Sequence, residues 1–302
     1  MLGRNAFIDR NLKYILPLPA VVFVFLLVIV PLCYMLFTGF TEWSLAAAAP
    51  PRFVGMENYF AILGDPHFRM AFVRTVIFTV GAVTTQTILG TIIAFIVYRT
   101  FKGHGLFKII LMLPLVAAPV AIGILFQFFF DPAAGVFNFV LYRFGLPQSG
   151  WITDARTVLP SLILVDVWQW TPIIALLVLA GLSSLPSEPF ESAKVDGAGS
   201  VQIFFRITLP MISPILLAAI ALRSVGALKT YDVIAAMTGG GPDHASQTLI
   251  MHAFERGFEY SAVDSAVGRA AATLVVLFLL MLFFSIWGIQ ARKRFEPRSG
   301  GK

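Results

Sequence analysis

Six long apolar windows constrain this chain more than any other feature, running approximately over residues 14–38, 71–98, 106–130, 158–182, 210–232 and 263–290. A bilayer core about 30 Å thick needs roughly 20 apolar residues in a helix that rises about 1.5 Å per residue. Each window meets that length, and each is bounded by charged or Gly/Pro-rich sequence. The runs are continuous rather than alternating, which excludes a closed β-barrel. Composition agrees: of 302 residues, 58% are apolar and 13% charged, too few polar side chains to cover a soluble domain of this size. The sequence therefore predicts an all-α integral membrane protein with six transmembrane helices and the lipid bilayer as its solvent. A single membrane domain covers residues 1–302, because no segment between spans is long enough to build its own core.

The net charge of +6 reports topology rather than a nucleic-acid partner. Basic residues mark the cytoplasmic side of a span. Arg4, Arg10 and Lys13 precede the first window; Arg99, Lys102 and Lys108 flank the turn between the second and third; Arg292, Lys293, Arg294, Arg298 and Lys302 follow the sixth. These ends face inward, so both termini are expected to be cytoplasmic. The loop at 183–209 is the weakest part of this pattern, with Lys194 and Arg206 against Glu188, Glu191 and Asp196. The first apolar window is longer than the roughly 7–15 residues of a cleavable signal and reads as a retained helix. Cys33 has no second cysteine to pair with and reads as a small buried apolar side chain.

Pro114 and Pro119 predict a kink or break in the third span, and Pro172 one in the fourth. Segments 39–70 and 131–157 read as outer loops with short helices, and Trp43, Tyr59 and Trp151 fit interfacial anchors. No motif supports enzymatic chemistry. Gly239-Gly240-Gly241-Pro242 lacks the Gly-Lys-Ser/Thr ending of a phosphate-cradling loop, and His67, His104, His244 and His252 are dispersed. No bound cofactor or metal is expected, so the energy for any transport must come from an ion gradient or a separate subunit.

The most informative segment lies in the loop 183–209. Ser187 is a natural N-cap, Glu188 and Pro189 occupy the first turn, and Gly197 and Gly199 supply a stop, which predicts a helix of two to three turns. So short a helix is marginal alone in water and must be ordered by packing. Phe190, Ala193 and Gly197 fall along one row, and small Ala198 follows. Phe204 and Phe205 form an apolar knob before Leu209-Pro210 restarts the membrane span. On helix physics alone, a connector lying in the headgroup layer stands as well as a docking element.

Glu191-x-Ala193-x-x-Asp196-Gly197-Ala198, with Ile207-x-Leu209-Pro210 beyond it, resembles the EAA loop of permeases in binding-protein-dependent ABC importers. Ser192 departs from the usual alanine, a small-for-small change. Phe53-Val54-Gly55-Met56-Glu57-Asn58-Tyr59, Gly181-Leu182-x-x-Leu185-Pro186 and Thr238-Gly239-Gly240-Gly241-Pro242 are similar to the carbohydrate-uptake branch, of maltose and glycerol-phosphate type, first permease rather than second. The resemblance implies the type I importer permease fold in a bacterial inner membrane. It also implies the partners: a second homologous permease, an ATPase dimer that uses Mg and ATP, and an extracytoplasmic solute-binding protein. By the same resemblance, Phe190, Glu191, Ala193, Asp196, Gly197 and Ala198 couple to the ATPase, with Glu191 as the charged anchor and Gly197 permitting a tight turn.

Ionisable residues inside spans are costly and are functional candidates by default. Asp166 in the fourth span and Arg223 in the fifth each lie about eight residues from an outer end, a depth of roughly 12 Å. One reading is a charge pair that joins the two helices. The other has them line the pathway, with Asp166, Gln169 and Trp170 contacting a sugar, Gly226 and Thr230 beside them, and Arg223 available to a phosphate, sulfonate or carboxylate. Lys229, Thr230 and Tyr231 are gate or interfacial residues; of facing the cavity or hydrogen-bonding between helices, the latter is expected for Gln86 and Gln127. The competing function is an ion-coupled secondary transporter, which would also need broken helices but predicts an inverted repeat that the sequence does not display.

Overall fold

The computed structural model describes residues 12–14, 16–46, 50–98, 104–259 and 265–295. Arg4, Arg10, Arg99, Lys102, Arg298 and Lys302, on which part of the charge argument rests, lie outside them. The described helices are α1 (Leu18–Val24), α2 (Val30–Thr38), α3 (Glu57–Gly64), α4 (Pro66–Tyr98), α5 (His104–Val116), α6 (Pro119–Phe129) and α7 (Val136–Arg143). They continue with α8 (Val158–Ser183), α9 (Glu188–Val195), α10 (Ser200–Ile203), α11 (Leu209–Leu228), α12 (Asp232–Thr238), α13 (Leu249–Phe254) and α14 (Ala266–Phe295). Five helical stretches are long and apolar enough to cross a membrane: Leu12–Thr38, Pro66–Tyr98, Val158–Ser183, Ser200–Leu228 and Ala266–Arg294. A sixth arises if α5 and α6, bent by 97°, count as one broken span.

That break falls at Ala117 and Ala118. Ala118 is extended (φ −63°, ψ 135°), as the residue before a proline prefers, and Pro119 starts α6 where its missing N–H costs nothing. Pro114 and Pro172 behave otherwise: each lies inside a continuous helix, so of the kink or break expected at Pro172 the break does not occur. Pro210 also fails to restart a span. α10 runs into α11 through a π-helical turn, Phe204–Thr208, in which the Leu209 N–H donates five residues back to the Phe204 carbonyl. A second such turn, Phe25–Ile29, joins α1 to α2 just before Pro31. Proline has no N–H and crowds the carbonyl four residues earlier, so a wider turn directly before it lets the helix continue.

The chain forms two compact units. One comprises the residues up to Asp65 together with Ala253–Val276; the other comprises Pro66–His252 and the chain from Leu277 onward. In the first unit, the two-residue strands β1 (Thr41–Glu42) and β2 (Arg52–Phe53) pair antiparallel, with Thr41 opposite Phe53 and Glu42 opposite Arg52. Buried Asn58 donates to the carbonyls of Gly39 and Thr41 at 3.1 and 2.8 Å. A Cβ on Gly268 would sit 2.1 Å from the Thr41 carbonyl oxygen, so only glycine permits this approach of α14. Tyr59 is not an interfacial anchor: it is 8% exposed, packs on Phe40, and its buried hydroxyl has a pKa pushed up by desolvation. Arg256 and Asp65 form an ion pair.

In the second unit α4 packs along α8, α11 crosses both, and α6 packs on α12. One core cluster joins Phe78, Ile122, Phe126, Phe130, Leu162, Val233 and Ile234; another joins Ala94, Ile174, Val178, Leu182, Ile212 and Ala219. Asn138 fixes the loop that precedes α8. Its amide donates to the carbonyls of Pro132 and Ser149, and its oxygen accepts from Ser149 N–H and the Trp151 indole N–H at 2.9–3.0 Å. Trp151 stacks on Phe130 at 5.0 Å, so it too is packed into the protein.

Candidate functional site

Three helices of the second unit converge on one polar cluster inside otherwise apolar sequence. Arg223, on α11, places Nη2 2.6 Å from Asp166 Oδ2, on α8, and donates through Nε to Gln86 Oε1, on α4, at 2.8 Å. Gln86 Nε2 in turn donates to the Asp166 carboxylate at 2.7 Å and to its backbone carbonyl at 3.0 Å. Asp166 and Gln86 are fully buried, and Arg223 is 6% exposed. In apolar surroundings a lone charge would be very costly, whereas the pair with its extra hydrogen bonds offsets much of that cost. Asp166 Oδ1 and Gln169 Oε1 are buried without a hydrogen-bond partner among the described residues.

A cavity of about 530 Å³ opens beside this cluster. Trp170, Arg223, Gly226 and Thr230 line it, together with Lys229, Tyr231, Asp232 and Pro119. Asp166 and Gln169 do not; both are buried, and Asp166 is held against α4 by Gln86. The Arg223 guanidinium carbon stands 5.1 Å from the centre of the Trp170 ring, in cation–π range. Gly226 is required for that pose, since a Cβ there would lie 2.5 Å from Arg223 Nη1. Thus the structure brings Asp166 and Arg223 together, as equal depth predicts, but divides the proposed pathway residues into a cavity wall and a buried support. Gln86 makes the expected hydrogen bonds between helices, and it makes them at the centre of the ion pair rather than in the cavity wall. Asp232 was missed altogether, and its place directly after Lys229-Thr230-Tyr231 was the available signal.

The second candidate region is the loop around α9. Ser187 sits at the N-cap position, yet its side chain makes no capping bond. The other end is well defined. Gly197 has φ +76°, the Ala198 N–H donates to the Ala193 carbonyl at 2.9 Å, and the Gly197 N–H donates to the Lys194 carbonyl at 3.1 Å. That pattern is a Schellman stop, which needs the left-handed conformation glycine adopts without strain. Ala193 is buried, Phe190 and Ala198 are half-buried, and Glu191, Lys194 and Asp196 are exposed. Among the described residues no side chain pairs with Glu191 or Asp196. A groove of about 630 Å³ runs beside the helix, lined by Phe95, Phe190, Glu191, Lys194, Phe204 and Phe205 among others. Phe95 and Phe204 meet edge to face at 4.9 Å, anchoring the loop on the C-terminal end of α4.

Among the described residues no group of three His, Cys, Asp or Glu side chains could hold a metal ion. Comparisons with known proteins agree with a transport role. The chain is 32% identical over 274 residues to the sulfoquinovosyl glycerol transport system permease SmoG of Agrobacterium fabrum, covering 91% of this chain and 88% of that one. It is 31% identical over 278 residues to the trehalose/maltose transport system permease MalF of Thermococcus litoralis, covering 92% of each. The sn-glycerol-3-phosphate transport system permease UgpA of Yersinia pestis is 30% identical over 290 residues, covering 94% of this chain and 95% of that one. In structure, a bacterial ABC transporter involved in import of the acidic polysaccharide alginate superposes with a TM-score of 0.81 at 20% identity, over 96% of this chain and 98% of that one. Residues 86–298 match the family of binding-protein-dependent transport system inner membrane components, and the chain belongs to that family as a sugar-type ABC transporter permease.

Proposed function

We propose that this chain is the transmembrane permease subunit of an ATP-driven importer that moves a sugar or sugar derivative into the cytoplasm by alternating access. It spans a bacterial inner membrane six times, with the broken pair α5 and α6 as one span and both termini cytoplasmic. It works beside a second homologous permease, and an extracytoplasmic solute-binding protein delivers the solute. A separate dimeric ATPase binds ATP with Mg and hydrolyses the ATP. The observation that carries the reading is α9. Its helix end is fixed by Gly197, its inner face is packed through Ala193, and its outer face leaves the carboxylates of Glu191 and Asp196 without partners among the described residues. Such an element is built to be read by another protein, and an arginine or lysine on the ATPase would satisfy Glu191.

The cavity beside Trp170 and Arg223 serves as part of the solute pathway, with Gly226 and Thr230 in its wall. Asp166 and Gln169 support it from behind. Mechanical work enters at α9 and reaches the cavity through the continuous α10–α11 helix, because Phe204 lies at the groove and Arg223 sits further along the same helix. The decisive experiment is uptake into proteoliposomes carrying the complete complex. Enclosed ATP with external binding protein should drive accumulation, and collapsing proton and sodium gradients should not stop it. Accumulation that follows an ion gradient without ATP would instead establish a secondary transporter.

A further inference from the structure

We infer that the cavity selects an uncharged polyhydroxyl solute, with Asp166 and Gln86 acting as positioning residues that neutralise and aim Arg223. The inference rests on reading this cavity as part of the solute pathway. Family membership does not decide the charge of the cargo, since the relatives' names include both trehalose/maltose and a glycerol phosphate. The residues of this chain do. An unpaired arginine in a low-dielectric wall would attract a phosphate or sulfonate strongly. Arg223 is not unpaired: its Nη2 is committed to Asp166 and its Nε to Gln86.

Asp166 Oδ1 has no other donor among the described residues, so no second cation in the wall draws on the carboxylate. An anion approaching Nη1 would meet a guanidinium whose charge is already offset by the Asp166 carboxylate 2.6 Å from Nη2. The remaining charged residues in the cavity lining, Lys229 and Asp232, again carry one charge of each sign. What the cavity offers is therefore hydrogen-bond donors without net charge. Arg223 Nη1 sits above Gly226, and the Trp170 face lies alongside for the apolar side of a sugar ring.

The test uses the complete importer in lipid nanodiscs and saturation-transfer NMR with matched probes: glucose and maltose against glucuronate and glucose 6-phosphate. Neutral sugars should bind at least about tenfold more tightly than their anionic counterparts, and Trp170→Ala should abolish the signal. Asp166→Asn, which keeps an oxygen facing Arg223 and Gln86 but removes the negative charge, should raise affinity for the anionic probes by about tenfold. Asp232→Asn, at an exposed position that does not support the fold, should raise it in the same direction by a smaller factor. Tighter binding of the anionic probes to the unmodified importer would overturn the charge inference and leave the pathway reading intact. Anionic affinity unchanged in both variants would overturn it as well. Absence of any Trp170-dependent binding would overturn both the inference and the pathway reading.

Discussion

The polar cluster at Asp166 and the loop at Glu191 carry similar side chains and treat them oppositely. At Asp166 a carboxylate is fully buried, 2.6 Å from an arginine and bonded by a glutamine from a third helix. At Glu191 a carboxylate is exposed, with no partner among the described residues, on a helix of eight residues that could not persist alone in water. Charge buried among the spans is satisfied within the chain, because an unpaired charge there would be very costly. Charge on α9 is left open while the backbone that presents it is locked. A polar group that is internally satisfied tunes a site; one that is held rigid and left unsatisfied waits for a partner.

Breaking the buried half should give the largest effect. Arg223→Met strands the Asp166 carboxylate in apolar surroundings and should destabilise the permease by about 3–5 kcal/mol. Thermal unfolding in detergent checks this, and adding Asp166→Leu should recover most of the loss, since a matched apolar pair no longer carries a buried charge. Gly226→Ala should cost less, about 1 kcal/mol, because its methyl would lie 2.5 Å from Arg223 Nη1 and the guanidinium would have to shift against its partners. On the loop, Glu191→Ala should leave stability within about 0.5 kcal/mol of the unmodified protein while weakening retention of the ATPase on co-purification. The smallest effect belongs to Ser187→Ala. A working N-cap is worth about 1 kcal/mol, but Ser187 makes no capping bond, so substitution should be close to neutral by the same melting assay.

Much of this was legible in the residues. Continuous apolar windows found the spans, since lipid leaves a helix few alternatives. The windows at 71–98 and 158–182 agree with Pro66–Tyr98 and Val158–Ser183 to within a few residues. Counting depth from the span ends brought Asp166 and Arg223 to one level. The same count could not add Gln86, because α4 has 33 residues, far longer than a bilayer core requires, and depth along a helix that overhangs or tilts cannot be read from its end.

Prolines misled for a related reason. A proline predicts a break only if its neighbours cannot widen the turn, and Pro210 follows a π-helical turn that they do form. Tyr59 and Trp151 resembled interfacial anchors by position, but nothing in sequence shows that Phe40 and Phe130 lie in wait for their rings. The stop at Gly197 was readable, since few residues other than glycine adopt positive φ, whereas the bond that Ser187 declines to make depends on a side-chain rotation that no pattern encodes.

We propose that this chain is driven through α9 by a separate ATPase subunit. Gly197→Asp puts a Cβ and a charged side chain at φ +76° in the Schellman stop, far from Asp166 in sequence and from the span interiors. The direct measurement is ATP hydrolysis by the reconstituted importer with solute-loaded binding protein, alongside a melting curve of the permease. The account predicts a permease that melts within about 1–2 kcal/mol of the unmodified protein and hydrolysis no longer stimulated by the binding protein. Full stimulation with the ATPase still bound would contradict it.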